Sequence, residues 1–195
     1  MEGAAWHYVW GAPQDVEGMI ALQHGGDTEA WLARMRQFWE DTDTFDEEFV
    51  ADPYYWHGNE PDLHYAFLPA LAGDLALASE ASRYVMETRY TTLPSGIDGN
   101  DDSGTLSAWY VLAASGFYPI AGTTTYAVGS PLFHRVEVDR PNGEQWVMRA
   151  PGLEDSVIVQ QVSLGGEPSD DHGRFDHGAW DAAGGDLMLD MRIDR

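Results

Sequence analysis

Two short stretches of this chain gather groups that do chemistry. In Tyr54-Tyr55-Trp56-His57-Gly58-Asn59-Glu60-Pro61-Asp62, three aromatics lead into a histidine, a glycine, an amide and two carboxylates. An aromatic face against the C–H side of a ring, with Asn, Asp and Glu oxygens on its hydroxyls, is how a sugar is held, and the same oxygens suit a hard cation. In Gly96-Ile97-Asp98-Gly99-Asn100-Asp101-Asp102-Ser103-Gly104, three carboxylates and one amide fall within a glycine-bracketed turn. Like charges this close raise at least one pKa unless a cation or hydrogen-bond donors compensate them. A carboxylate poised there suits a general base or a metal ligand. A third stretch, Glu2-Gly3-Ala4-Ala5-Trp6-His7-Tyr8, says little alone, because a Glu at a chain start is ordinarily solvated. Structural uses of the same residues stay open: Pro61 and Asp62 can start a helix, and Asx-Gly turns and N-caps use Asp and Asn.

The elements that must position these stretches are helical first and extended last. Asp15 is placed to cap a helix through Gln23, stopped by Gly25-Gly26, and Asp27 to cap one reaching about Trp39, with Trp31, Met35, Phe38 and Trp39 at core spacing. Residues 41–52 read as an exposed acidic loop; they lack the central glycine and closing Glu of an EF-hand. Helices are predicted over 62–72, 74–90 and 103–115. The last of these would offer free N–H groups and a positive dipole end to the acidic turn. Beyond Gly116 the runs TTTYAVG, HRVEVDR, EQWVMRA, SVIVQQVSL and DLMLDMR read as strands, with Asn142-Gly143 as a hairpin turn. GEPSDDHGRFDHG reads as a polar loop between strands. Helices followed by strands predict an α+β arrangement rather than alternating βαβ units.

Composition narrows the chemistry further. The chain has 195 residues, and its 33 Asp and Glu against 10 Lys and Arg give a net charge of −23. That field opposes nucleic acid and anionic lipid, and no basic cluster offsets it. There is no cysteine, so disulfides, thiolate metal sites and cysteine nucleophiles are excluded. The seven histidines show no zinc spacing, and no run is long enough to span a membrane. GxGxxG, P-loop and GxSxG elements are absent, which leaves nucleotide-cofactor enzymes and serine hydrolases unsupported.

Taken together, YYWHGNEPDLHYAFLPALAG, LPSGIDGNDDSGTLSAWYVLAASGFYPIAG and YAVGSPLF resemble glycoside hydrolase family 92, the calcium-dependent exo-acting α-mannosidases. EGAAWHYVWGAPQDVEGMI is similar to the family's segment that opens EGNAWQY and closes P-D-x-x-GLI, and the tail SLGGEP with FDHGAWDAAGGDLMLDMR is similar to its closing strands. The resemblance runs in order over nearly the whole chain. It implies residues 1–120 as the helical part of an (α/α)6 catalytic barrel and 121–195 as a C-terminal region of antiparallel strands. The family's N-terminal β-sandwich domain would be missing from this chain, and Met1 would correspond to an internal position.

The implied activity is hydrolysis of terminal α-linked mannose from glycans with inversion, of the α-1,2-mannosidase type. One carboxylic acid protonates the leaving oxygen and one carboxylate activates water. On the resemblance, Glu2 falls at the general acid and Asp102 at the general base, with Asn100 supporting it and Asp101 orienting the loop. Asn59 and Glu60 are expected to hold Ca2+, and Trp56, His57, Glu60 and His7 to contact the sugar. Ala4, His7 and Gln14 depart from the family's usual Asn, Gln and His, implying altered contacts at the pocket rim. The expected partners are a mannose-containing glycan and the parent enzyme's N-terminal domain, with no nucleic acid and no membrane span. The parent is expected to be secreted or periplasmic. Two alternatives remain: an inactive fragment with residual carbohydrate or calcium binding, and an acid/base glycosidase for another sugar.

Overall fold

The structure, a computed structural model, describes residues 3–42, 52–169, 171 and 173–193. Most of the acidic loop, with Glu2, Asp170 and His172, lies outside the described residues. Local caps set the early helices. Asp15 accepts from Gly18 N–H at the start of α1 (Val16–His24), and Gly25, at φ 62°, closes it. Asp27 accepts from Ala30 N–H to open α2 (Thr28–Asp41), which turns Trp31, Met35 and Phe38 into the core.

The single helix expected over 62–72 is instead two 3-10 turns, Glu60–Asp62 and Tyr65–Phe67, followed by the short α3 (Leu68–Leu71). Pro69 is the reason: it brings no N–H to the ladder and its ring disfavours a continuous helix through Tyr65. Asp74 caps α4 (Leu75–Thr88) through Leu77 N–H and also accepts from Arg36 of α2 at 2.8 Å. The next helix, α5 (Thr105–Ala114), begins two residues later than expected, with Gly104 as its N-cap.

Among the described residues eight strands follow: β1 (Phe117–Pro119), β2 (Thr125–Val128), β3 (Arg135–Asp139), β4 (Gln145–Arg149), β5 (Gln161–Leu164), β6 (Glu167–Pro168), β7 (Arg174–Asp176) and β8 (Asp186–Asp190). They form a three-stranded sheet in the order β1-β2-β7 and a five-stranded sheet in the order β3-β4-β8-β5-β6. Asn142 and Gly143 turn the β3–β4 hairpin as predicted. Two expectations fail. The larger sheet is mixed rather than antiparallel, because β4 and β8 run parallel. The GEPSDDHGRFDHG stretch also carries order: β6, β7 and the start of α6 (His177–Ala182), capped by Asp176. The family-like tail therefore contains a helix between its strands. The fold class is α+β.

Two apolar clusters fill this architecture. The first packs Trp10, Trp31, Phe38, Tyr55, Phe67 and Trp109 among the helices. The second packs Phe117, Val128, Phe175, Trp180, Leu187 and Leu189 around the two sheets. α4 joins them: Ser82 Oγ accepts from Ser130 N–H, Arg83 donates to Ser130 Oγ, and Ser79 Oγ accepts from Val159 N–H. No helix among the described residues is long and apolar enough to cross a membrane.

Candidate active site

The aromatic loop turns its histidine inward. Tyr55 and His57 are fully buried, and Tyr55 OH lies 2.6 Å from His57 Nδ1. On the other side His57 Nε2 lies 2.5 Å from Tyr90 OH, whose hydrogen goes to the Leu106 carbonyl at 2.8 Å. With the tyrosine proton committed to Leu106, His57 must donate from Nε2 and accept at Nδ1. Burial, assisted by nearby Arg89, lowers the His57 pKa to about 3, so the ring is neutral. A sugar cannot reach either nitrogen. His57, expected at the substrate, stands behind the loop instead.

His7 is buried too. It accepts from Ala4 N–H at Nδ1 and, with its hydrogen on Nε2, donates to the Asp52 carbonyl at 2.6 Å. Tyr65 OH donates to the His7 carbonyl. Its work is to anchor the segment that follows Glu2; a Cβ on Gly3 would come within 2.5 Å of His7 Nδ1. Asp62 is wholly buried as well, with Oδ2 accepting from Trp56 N–H and Oδ1 unpartnered. Burial pushes its pKa up to about 8 against the opposing pull of that N–H. Glu60 is the exposed residue of this loop, and Trp56 is half-buried, as are Tyr54, Gly58 and Pro61. Asn59 is buried and its Nδ2 has no partner.

The acidic turn is built differently. Asp101 accepts at both oxygens from Ser107, N–H at 2.9 Å and Oγ at 2.8 Å, and these bonds hold its carboxyl below the usual range. Its carbonyl accepts from Gly104 and Thr105 N–H, so the residue both caps α5 and shapes the turn. Asp102 and Ser103 then take left-handed φ values of 42° and 64°, ahead of Gly104 at 91°. Two successive non-glycine residues in that region cost energy, and such strain collects where a side chain must be aimed. Asn100 is exposed in the turn.

The two loops meet. A Cβ on Gly99 would lie 3.2 Å from the Gly58 carbonyl oxygen, and one on Gly58 would lie 2.9 Å from the Trp56 ring and 3.1 Å from the Asp98 backbone. Both glycines are required for this approach. Beside this approach Asp102 neighbours Glu60: desolvation first, then the charge and proximity of Glu60 and of Asp101, raise its carboxyl above the usual range. Beside Ser107 opens a cleft of about 370 Å3 lined by Tyr90, Thr91, Thr92, Ile97, Ser107 and Tyr110.

Among the described residues no group of three or more His, Asp or Glu side chains is gathered to hold a metal ion. The donor types nonetheless fit a hard cation. The Asn59 amide oxygen and the Glu60 and Asp102 carboxyls are oxygen ligands, and a cation between the two like-charged carboxyls would relieve their repulsion; the unpartnered Asn59 Nδ2–H is a donor and calls for an acceptor such as a sugar hydroxyl. Calcium takes about six to eight oxygens, so water and sugar hydroxyls would have to supply the rest.

Residues 1–193 match the family described as "Glycosyl hydrolase family 92 catalytic domain". The chain belongs to that family. A family 92 α-mannosidase of Bacteroides thetaiotaomicron, solved with mannoimidazole, is 27% identical with a TM-score of 0.82; the match covers 97% of this chain and 25% of that one. A family 92 inverting mannosidase of the same organism is 30% identical with a TM-score of 0.79, covering 98% of this chain and 27% of that one. An uncharacterized secreted glycosidase of Arthroderma benhamiae is 26% identical over 171 residues, 85% of this chain and 20% of its own length. This family 92 chain thus spans about a quarter of the solved relatives and a fifth of the curated one.

The structure brings Glu60, Asp101, Asp102, Trp56 and Asn59 to one place, sets His57 and His7 behind it, and leaves Glu2 outside the described residues. Tyr90 is the polar residue that sequence reasoning missed, and it carries no local signal because its partners lie on other segments. Asp62, read among the sugar- or cation-binding oxygens or as a helix starter, is buried behind the loop.

Proposed function

We propose that this chain supplies the general base and the sugar-binding loop of an inverting α-mannosidase that removes terminal mannose from glycans. The observation that carries the reading is the close approach of the Gly58 and Gly99 backbones, which brings the Glu60 loop against the Asp102 turn within a glycosyl hydrolase catalytic domain. Asp102 takes the proton of the attacking water, and Glu2 gives one to the departing oxygen from the opposite face of the ring. Asp101, gripped by Ser107, keeps the turn in register, and Asn100 supports it. Trp56 offers an apolar face to the sugar. Asn59 and Glu60 would hold calcium, which when bound polarises the sugar hydroxyls and favours ring distortion.

The names of the two Bacteroides relatives, an α-mannosidase and an inverting mannosidase, support the substrate and the stereochemistry. The name of the Arthroderma relative supports secretion. Residues 1–120 act as the helical, site-bearing part and 121–195 as the strand region, working with an N-terminal β-sandwich domain. A second reading is that these residues taken by themselves bind carbohydrate or calcium without turnover; they span 20% of the Arthroderma relative and 27% of the inverting mannosidase.

One experiment separates the readings. The chain is incubated with 4-nitrophenyl α-mannoside or α-1,2-mannobiose, with calcium or with chelator, and the product is followed by proton NMR. Calcium-dependent release of β-mannose as the first anomer supports inverting hydrolysis, and α-mannose refutes it. Calorimetric binding of calcium or mannose without release supports the second reading.

A further inference from the structure

Bonds and chain together close a ring around the two loops. From Glu60 the backbone runs back through Asn59 and Gly58 to His57; His57 Nε2 bonds Tyr90 OH at 2.5 Å, and Tyr90 OH bonds the Leu106 carbonyl at 2.8 Å. Leu106 is followed by Ser107, which holds both oxygens of Asp101, and Asp102, next in the chain, returns to Glu60. Within this ring one phenolic oxygen is both acceptor and donor. It is also the only member on neither loop nor on α5, since Tyr90 lies just past the C-terminal end of α4. Its ring is clamped by aromatic contact, stacked on Trp109 at an interplanar angle of 7° and set against His57 at 5.1 Å between centroids. A second tie, Trp109 Nε1 to the Leu63 carbonyl at 2.7 Å, fastens α5 to the far side of the aromatic loop but bypasses both carboxyl-bearing turns.

We propose that Tyr90 is a positioning residue whose hydroxyl latches the aromatic loop to the first turn of α5 and thereby sets the separation of Glu60 from Asp102. The latch is a statement about loop geometry. Its consequence for turnover rests on the hydrolytic reading above, and the two are tested separately. Removing the hydroxyl leaves His57 Nε2–H without its acceptor and breaks the bridge to the Leu106 carbonyl, so the buried donor can regain a bond only by a shift of the aromatic loop against α5.

The test uses the 195-residue chain and Tyr90→Phe, with Tyr118→Phe as a control for the loss of a hydroxyl from the same aromatic cluster. Long-range proton–nitrogen NMR of the wild type is expected to show His57 as the Nε2–H tautomer, with an Nε2 proton slow to exchange. Cross-peaks between the α-protons of Gly58 and Gly99 are expected in wild type and Tyr118→Phe and lost in Tyr90→Phe. An Nδ1–H tautomer in the wild type, or Gly58–Gly99 cross-peaks unchanged in a folded Tyr90→Phe, overturns the latch. If circular dichroism shows Tyr90→Phe unfolded, the wild-type tautomer decides, together with Tyr55→Phe, which removes only the outer bond and is expected to keep the Gly58–Gly99 contact. Where the wild type hydrolyses aryl mannoside, Tyr90→Phe is expected to lower kcat by about 100-fold with KM within about twofold, as a small misplacement does. A purely structural tyrosine would lose folded protein and leave kcat per folded molecule unchanged, which also overturns the proposal. Absence of hydrolysis in the wild type counts against the hydrolytic reading alone, and the NMR result still decides the latch.

Discussion

The aromatic loop hides Tyr55, His57 and Asp62 from water and satisfies most of their polar atoms within the core, whereas the acidic turn leaves Asn100, Asp102 and Ser103 exposed and takes its shape from backbone torsion. One is fixed by packing, so its shape is as strong as the core beneath it. The other is fixed by Asp101 on Ser107 and by left-handed residues, so its shape is independent of most of that core. Where they touch, the rigid loop offers an exposed carboxylate to the strained one. The division suggests that function is tuned by substitutions in the acidic turn and stability by substitutions behind the aromatic loop.

That contrast can be broken in four ways. Asp102→Asn, in protein active on aryl mannoside, is expected to reduce hydrolysis by about 10²- to 10⁴-fold, the range for losing a general base, with an unchanged melting temperature. A large drop in melting temperature would show that the acidic turn is also a packing element. Trp109→Ala strikes the other side. Trp109 is fully buried against His57 and Tyr90, and its loss is expected to cost about 3–5 kcal/mol in urea unfolding.

Acid sharpens the contrast further. Burial lowers His57 to about 3 and His64 to about 4, from 6.5. Below pH 6.5 the unfolded chain takes up protons that the folded one refuses, so this stability is complete above 6.5 and lost as pH falls toward the folded values. Each histidine contributes a slope of at most about 1.4 kcal/mol per pH unit. His64→Gln is expected to flatten the loss between pH 6.5 and 4 in urea titrations at stepped pH. Asp62 acts with the opposite sign: its raised pKa removes stability as pH climbs from about 4 to about 8. The smallest effect is Ser103→Gly, which relieves a left-handed residue and is expected to gain about 1 kcal/mol in the same unfolding assay.

How much could be read in advance depends on how local each cause is. The caps at Asp15, Asp27 and Asp74 act within three residues, so their helices were legible. So was the Asn142-Gly143 turn. The break at Pro69 was also local, but an apolar run masked it. β7 was not legible, because Phe175 pairs with Tyr126 on a distant segment, and neither was the parallel register of β4 with β8. At the site, residue types announced both loops and their acidic character. Which side chains face outward was set by long-range partners, Tyr90 for His57 and Asp52 for His7, and residue type alone carries no such information.

The position of β8 bears on biosynthesis. It is the last strand among the described residues and lies at the middle of the five-stranded sheet, flanked by β4 and β5. As the polypeptide leaves the ribosome, the β3–β4 and β5–β6 hairpins emerge first and each presents an unpaired edge. Only when residues 186–190 arrive can the two be stitched together. Translation that stalls before that strand would release two sticky half-sheets joined to a helical part able to assemble earlier, an aggregation-prone intermediate that a chaperone must shield.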